Sequence, residues 1–339
     1  MHLGWRCRSY FGYPQSSFFK KESILPALRS PHTLLYATRP GALPARFRRE
    51  RVLLVGCGDV GLRVARQLGP RVRLLALTSQ TARVPELRAL GMTPLVGNLD
   101  KPASLKRLSG LATRVLHLAP PPGSGAHDPR TQALLQVLRR RSGVQSLVYG
   151  STSGVYGDCQ GEVVTEGRTL NAATARAQRR IDAEQRIRHF GRAVAVPVNI
   201  LRIPGIYAPN REGGTPRERL QKGTPVLQAS DDVYTNHIHA DDLARACIAA
   251  LWRGRPGRVY NVNDDTCLKM GDYFDLAADL YGLPRPPRVP RDTATAQLPL
   301  MLLSFMSESR RMDNTRLKTE LRVALRYATV AQGLRQVPA

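Results

Sequence analysis

Carboxylates are scarce in this chain. Its 339 residues hold 26 Asp and Glu against 51 Lys and Arg, a formal net charge of +25. Lysine is scarce too: only seven of the basic residues are Lys, which leaves 44 Arg. Arginines spread along the whole chain give a solvated basic surface rather than one face built for nucleic acid. The clusters at 46–51, 139–141 and 285–291 are the candidates for such a face, and nucleic acid is not expected as a partner. Cysteines number five, at 7, 57, 159, 247 and 267, with no Cys-x-x-Cys and no Cys/His ligand spacing. That pattern argues against a disulfide framework and against a zinc site. It fits reduced thiols in a cytoplasmic protein, with no metal. Long apolar runs are missing as well. LPLMLLSFM at 298–306 is too short to span a bilayer, so no membrane association is expected.

The first 50 residues differ from the rest, with nine Lys or Arg, two acids (Glu22 and Glu50) and no hydrophobic period. They have no compact apolar segment ending in a small-residue cleavage site, which speaks against a secretory signal. An Arg-rich, acid-poor leader is also how an organellar transit peptide reads, so an organelle is the alternative to the cytoplasm. The expectation is a disordered extension over 1–50, of which folding does not need residues 1–45.

Order is expected to begin at RVLLVGCGDVGLRVARQLG (51–69). Residues 51–55 form an apolar β run, the turn GCGDVG follows, and Val60, Val64 and Leu68 then fall on one helical face. Glycine-x-glycine-x-x-glycine between a buried strand and a helix is a dinucleotide fingerprint. Gly56 permits the tight turn, Gly58 lets backbone approach a pyrophosphate, and Gly61 lets the helix pack closely. Asp59 and Val60 lead the helix N-terminus, whose free N–H groups and dipole face the phosphates. The second strand, RVRLLALTS (71–79), ends without the acid that binds a ribose 2′-hydroxyl. Thr78, Ser79 and Arg83 stand there instead, so NADP(H) is the preferred cofactor, with NAD(H) as the alternative.

The rhythm continues with a helix at 84–90, a strand at 93–97, a helix at 102–109, a strand at 114–119, a helix near 129–140 and a strand at 146–151. Strands alternating with helices at this spacing imply an α/β fold, a Rossmann-type doubly wound parallel sheet. Ligands bind such sheets beyond the carboxyl ends of the strands. The expected division is a dinucleotide-binding core over 51–200. A mixed region, 201–339, completes that core and forms a small C-terminal substrate lobe.

In the same order, the chain resembles the extended short-chain dehydrogenase/reductase family, in its NAD-dependent epimerase/dehydratase branch, from about 51 to 336. GCGDVG resembles the family's phosphate turn. GNLD (97–100) resembles the GDLxD that neighbours adenine, with Asn98 at the first acid and Leu99 after it. HLAP (117–120) resembles the HLAA that lines the cofactor, which assigns Leu118, Ala119 and Pro120 to it. STSGVYGD (151–158), LRIPGIYAP (201–209) with Pro204 beside the nicotinamide, NHIHADDLARA (236–246), VYNVNDD (259–265) and the tail RLKTELRVALRYATVAQGL (316–334) complete the set. The resemblance implies a small-molecule substrate, a sugar-derived carbinol or carbonyl, and a homodimer.

In that family a tyrosinate takes the hydroxyl proton, a lysine four residues later lowers the tyrosine's pKa and holds the ribose, and a Ser or Thr orients the substrate oxygen. Thr152, four residues before Tyr156, supplies the hydroxyl. Counting back from Glu184, which matches the glutamate in family stretches such as SKLAAE, puts Arg180 at the lysine position and Arg176 at the tyrosine position. A guanidinium, with a pKa above ~12, cannot act as a base near neutral pH. It can anchor a ribose (Arg180) or bind an anionic ligand (Arg176). Tyr156 is the nearest phenol and is expected to pack as a wall rather than donate a proton. His237 and His239 are secondary candidates for acid/base work. The expected activity is therefore atypical oxidoreductase or epimerase chemistry. A dinucleotide sensor without chemistry is the alternative.

Overall fold

The computed structural model describes residues 49–141 and 143–335; the N-terminal extension expected over 1–50 lies almost wholly outside them. Seven parallel strands form the central sheet. They are β1 (Arg51–Val55), β2 (Arg73–Thr78), β3 (Thr93–Val96), β4 (Arg114–His117), β5 (Ser146–Thr152), β6 (Val198–Ile203) and β7 (Val259–Asn261). Their spatial order is β7-β6-β5-β4-β1-β2-β3. Reversal of the strand order beside β1 opens a crevice at the carboxyl ends of β1 and β4, where doubly wound folds bind ligands.

Both faces of the sheet are covered, which explains why the strands read as near-continuous apolar runs. Along β1, Val52 and Leu54 join one core with Val64 and Leu68 of helix α1 (Asp59–Leu68). Leu53 and Val55 join the opposite core with Leu134 and Leu138 of α3 (Pro129–Arg140) and Ile187 of α4 (Ala175–Ala193). Helix α2 (Val84–Ala89) connects β2 to β3, and α5 (Ala240–Arg253) packs beside α1. The run expected as a helix at 102–109 is a 3₁₀ helix, Pro102–Leu108.

After β6 the chain builds a smaller apolar cluster from Tyr207, Leu220, Val226, Phe274 of α6 (Met270–Tyr281), Met306 and Leu334. The LPLMLLSFM run is split there. Its helix, Leu300–Met306, buries Met306 and leaves Leu300 85% and Phe305 47% exposed. No helix among the described residues is long and apolar enough to cross a membrane.

Candidate functional site: a dinucleotide cleft beside an arginine-bearing helix

The first turn is held by backbone geometry. Gly56 sits at φ +99°, and a Cβ there would lie 2.5 Å from the Ala119 amide nitrogen. The chain leaving β1 is that close because the Leu118 and Ala119 amides both donate to the Val55 carbonyl, at 2.7 and 2.9 Å. Only glycine fits both the dihedral and the contact. Gly58 precedes α1 in an extended conformation with no side-chain cap bond, and a Cβ on it would meet nothing within 4 Å. A Cβ at Gly61 would lie 2.7 Å from the Gly56 carbonyl oxygen, so this glycine lets α1 sit against the turn itself. The helix ladder begins with the Leu62 amide donating to the Gly58 carbonyl at 2.9 Å, which leaves the earlier amides for a ligand. Val60, half-buried, packs toward the core.

A cleft of about 330 Å³ opens from this turn. Gly56, Gly58, Thr78, Ser79 and Arg83 line one side, and Asn98, Leu99, Ala119 and Pro120 the other. The Thr78 hydroxyl is tied to the Gln80 backbone at 3.2 Å, whereas Ser79 is exposed. Arg83 is already engaged: Nη1 donates to the Cys57 carbonyl at 2.8 Å, and Nε pairs with Glu86 at 3.0 Å. Its guanidinium thus braces the glycine turn, and a carboxylate accompanies it. Asn98 closes a short turn by accepting from the Asp100 amide at 2.9 Å. Sequence reasoning missed Gln80, Asp100 and Arg130. Arg130 pairs with Asp100 at 2.7 Å and reaches the Pro120 carbonyl at 3.3 Å, which closes the far rim. Asp100 stood within the GNLD motif; nothing distinguished Arg130 among 44 arginines.

Beyond the carboxyl end of β5 lies the second half of the site. Thr152 ends β5, half-buried, with Oγ1 accepting from the Gly154 amide at 3.3 Å. A Cβ on Gly154 would lie 3.7 Å from Thr152 Oγ1 and 3.8 Å from Ala177 Cβ, so Thr152 adjoins the first turn of α4. Thr152 is in register with Ile203, and the half-buried Pro204 follows. On α4, Arg176 is exposed and lies over the Phe305 ring at 5.5 Å. Arg180 turns inward: Nη1 donates to the Gly150 carbonyl at 2.7 Å and to Tyr149 Oη at 3.0 Å.

Neither nearby phenol is poised to lose a proton. Tyr156 is buried and donates to Asn261 Oδ1 at 2.6 Å. Burial pushes its pKa above the usual tyrosine range, and the adjacent Arg202 only partly opposes this. Tyr149 is wholly buried, and its pKa is raised by the same cause against the pull of Arg180. His237, buried and stacked on Tyr273 at 4.2 Å, is pushed down to about 4 by desolvation and is neutral at pH 7. His239 Nδ1 accepts from the Asp241 amide at 3.2 Å and caps α5, so it serves as an anchor. No group of three metal-ligating side chains occurs among the described residues.

Beneath this half runs a buried polar frame. Glu184 of α4, 2% exposed, accepts from Arg202 Nη2 at 2.8 Å and Nε at 3.2 Å, and from Ser151 Oγ at 2.6 Å. The Arg202 guanidinium also lies over the Tyr156 ring at 4.7 Å. A more open concavity of about 630 Å³ adjoins Tyr156, Asp158 and residues 167–171, but Tyr156 turns its hydroxyl away to Asn261.

Comparison with known proteins agrees with this geometry. The family model for the NAD dependent epimerase/dehydratase family matches residues 56–263. A functionally unknown conserved protein from Silicibacter pomeroyi is 33% identical in sequence, with a TM-score of 0.71 over 84% of this chain and 96% of that one. The UDP-glucuronic acid 4-epimerase from Bacillus cereus, solved in complex with NAD, is 17% identical with a TM-score of 0.66, over 84% of this chain and 96% of its own. At that identity the likeness speaks for the fold alone. The dTDP-D-glucose 4,6-dehydratase of Mus musculus is 26% identical over 129 residues, 36% of each chain, so the match spans about a third of that relative. By the extent of the family match, the chain belongs to the NAD-dependent epimerase/dehydratase family, within the extended short-chain dehydrogenase/reductases.

Proposed function

We propose that this protein binds a nicotinamide dinucleotide in the cleft between the glycine turn and Asn98. Its second ligand is a small polar, anionic molecule of the sugar-derived class, held beside Thr152 and Arg176. The observation that carries the reading is the turn itself. Gly56 has no room for a Cβ, Gly58 has open space before it, and α1 begins without a side-chain cap, the combination a pyrophosphate requires. The dinucleotide would supply hydride transfer. Among this chain's own residues, Gly56, Gly58 and the first turn of α1 would hold the pyrophosphate. Ser79, Asn98 and Leu99 would flank the adenosine half. Thr152 would orient the substrate oxygen, and Arg176, unpaired with any described carboxylate, would meet an anionic group.

On the 2′-phosphate two features oppose one another. No carboxylate ends β2, which admits NADP(H); yet Arg83 is spent on Glu86 and the Cys57 carbonyl, which removes the expected phosphate ligand. We therefore take NAD(H), the cofactor in the family's name, as the ligand of this cleft, and paired titrations with NADH and NADPH decide between them.

One observation favours a second reading, a dinucleotide-binding sensor without turnover. No side chain at a family catalytic position offers a proton relay: Arg180 is committed to β5, and Tyr156 to Asn261. A homodimer and a cytoplasmic location remain expectations from the resemblance and the free thiols, to be checked by sedimentation and by imaging.

The test is fluorescence titration with NADH and NADPH, then incubation of the NAD+-loaded protein with UDP-glucose or UDP-glucuronic acid while NADH formation and conversion of the sugar nucleotide are followed. Gly58→Asp should abolish dinucleotide binding with an unchanged melting temperature. NADH affinity equal to wild type in that variant would overturn the assignment of the cleft. Dinucleotide binding with neither transient NADH formation nor conversion of the sugar nucleotide would select the sensor reading.

A further inference from the structure

The residue that opens α1 is an acid, which is awkward for a helix meant to receive a diphosphate. The N-terminal dipole stabilises Asp59 while the site is empty, but a bound pyrophosphate would face a like charge. The two carboxylate oxygens of Asp59 are treated differently. Oδ1 accepts from Arg63 Nε at 3.0 Å. Arg63 has only a 6% exposed side chain and is shared, since Nη1 pairs with Asp241 at 2.5 Å and Nη2 donates to Asn210 at 2.6 Å. Oδ2 accepts from Arg211 Nη1 at 2.7 Å, and that pair is the solvent-facing one, with side chains 28% and 30% exposed. Arg211 donates from Nε and Nη2 to no other described residue.

The loop carrying Arg211 is fixed on both sides. The Ala208 amide donates to the Gly214 carbonyl and the Gly214 amide to the Arg211 carbonyl, at 3.1 and 2.9 Å, while Asn210 is held from α1 by Arg63. The guanidinium therefore stands at the first turn of α1 by construction. Asp59 and Asp241 against Arg63 and Arg211 sum to zero, so without Arg211 this turn carries net negative charge.

We propose that Arg211 is a cofactor-positioning residue. It neutralises Asp59 so that an acid can lead α1 and a diphosphate can still bind there, and it offers the phosphates its remaining donors. The proposal rests on the reading that the cofactor's pyrophosphate lies at this turn. It adds a residue from beyond β6 to a site otherwise built by β1 to β4.

The test is calorimetric titration of the full chain with NADH, ADP and adenosine, with melting temperatures alongside. Arg211→Ala should weaken ADP and NADH about tenfold and leave adenosine unchanged. The loss should shrink in high salt, and Arg211→Lys should keep most of the affinity. Asp59→Asn combined with Arg211→Ala should regain much of the loss, because the repelling charge is gone. Unchanged ADP affinity in Arg211→Ala, ADP and adenosine falling together, or a double variant no better than the single would each overturn the role. Wild-type protein that binds neither NADH nor ADP would instead overturn the reading of the cleft.

Discussion

The proposed cofactor half and catalytic half of this site lie at the same end of the sheet, beyond the carboxyl termini of its strands, yet they hold the family pattern to different degrees. Around β1 to β4 the phosphate turn of the family pattern is in place, and nearly all of it is backbone: a left-handed glycine, a bare helix start, and strand exits bonded to one another. Around β5 and α4 the frame is in place, with Glu184 on Arg202 and Thr152 at the strand end, but the two positions that the resemblance aligns with the family's proton relay are arginines. The contrast separates two kinds of constraint. A phosphate turn depends on dihedrals and close approach, so changing its residues damages the fold. A proton relay depends on two side chains over a rigid frame, so it can be exchanged while the frame stands.

If the frame is structural, breaking it should cost stability before anything else. Glu184→Ala leaves the Arg202 guanidinium, 2% exposed, without its carboxylate. Removing one partner of such a buried pair costs about 3–5 kcal/mol. Urea unfolding should show that loss, with weakened NADH binding only where the protein begins to unfold. A loss below about 1 kcal/mol would mean water reaches the pair and the frame is looser than the geometry implies.

A smaller effect is expected at Arg180, and it sharpens the comparison because it lies between the halves. The family resemblance suggests a ribose anchor. The structure has its Nη1 donating to the Gly150 carbonyl and Tyr149 Oη, both on β5. Arg180→Ala should then cost roughly 1–3 kcal/mol of stability, as hydrogen bonds to a charged group are lost over buried acceptors. NADH affinity should change little. The reverse outcome, full stability with NADH binding weakened tenfold or more, would return Arg180 to the cofactor half.

What the sequence made legible follows the same division. The sheet and the glycine turn were readable because they are local: apolar runs such as RVLLV, and GCGDVG between a strand and a helix. The resemblance, rather than periodicity, placed Thr152, Glu184 and Arg180 at the second half. Long-range pairing of flexible cations was not readable. Arg176 meets Phe305, Arg130 meets Asp100, and Arg211 meets Asp59 from 152 residues away. With 44 arginines in the chain, no spacing rule picks out the ones that matter. Arg83 lines the cleft. Glu86, three residues on, takes the guanidinium that the sequence assigns to a 2′-phosphate, a pairing that an i,i+3 spacing already allows.

The smallest expected effect is also the most direct comparison of the halves. Arg176→Tyr with Arg180→Lys restores the family's residue types on a helix whose frame is unaltered. If the cofactor half is complete and only the relay is missing, the double variant should acquire slow oxidation of a sugar nucleotide such as UDP-glucose. NADH would be detected by fluorescence over hours, where the natural protein gives none. Only trace activity is expected, for two reasons. Phe305, which lies over Arg176, would crowd a phenol at that position, and the lysine introduced by Arg180→Lys would inherit the Gly150 carbonyl as a competing acceptor. Adding Phe305→Ala should therefore raise the rate of the double variant while doing nothing for the natural protein. Were the natural protein to turn over such substrates quickly and the double variant to slow it, the arginines would be parts of a working site of another design. The catalytic half would then be as complete as the cofactor half, with a proton acceptor that must come from the ligand or from a group such as His237.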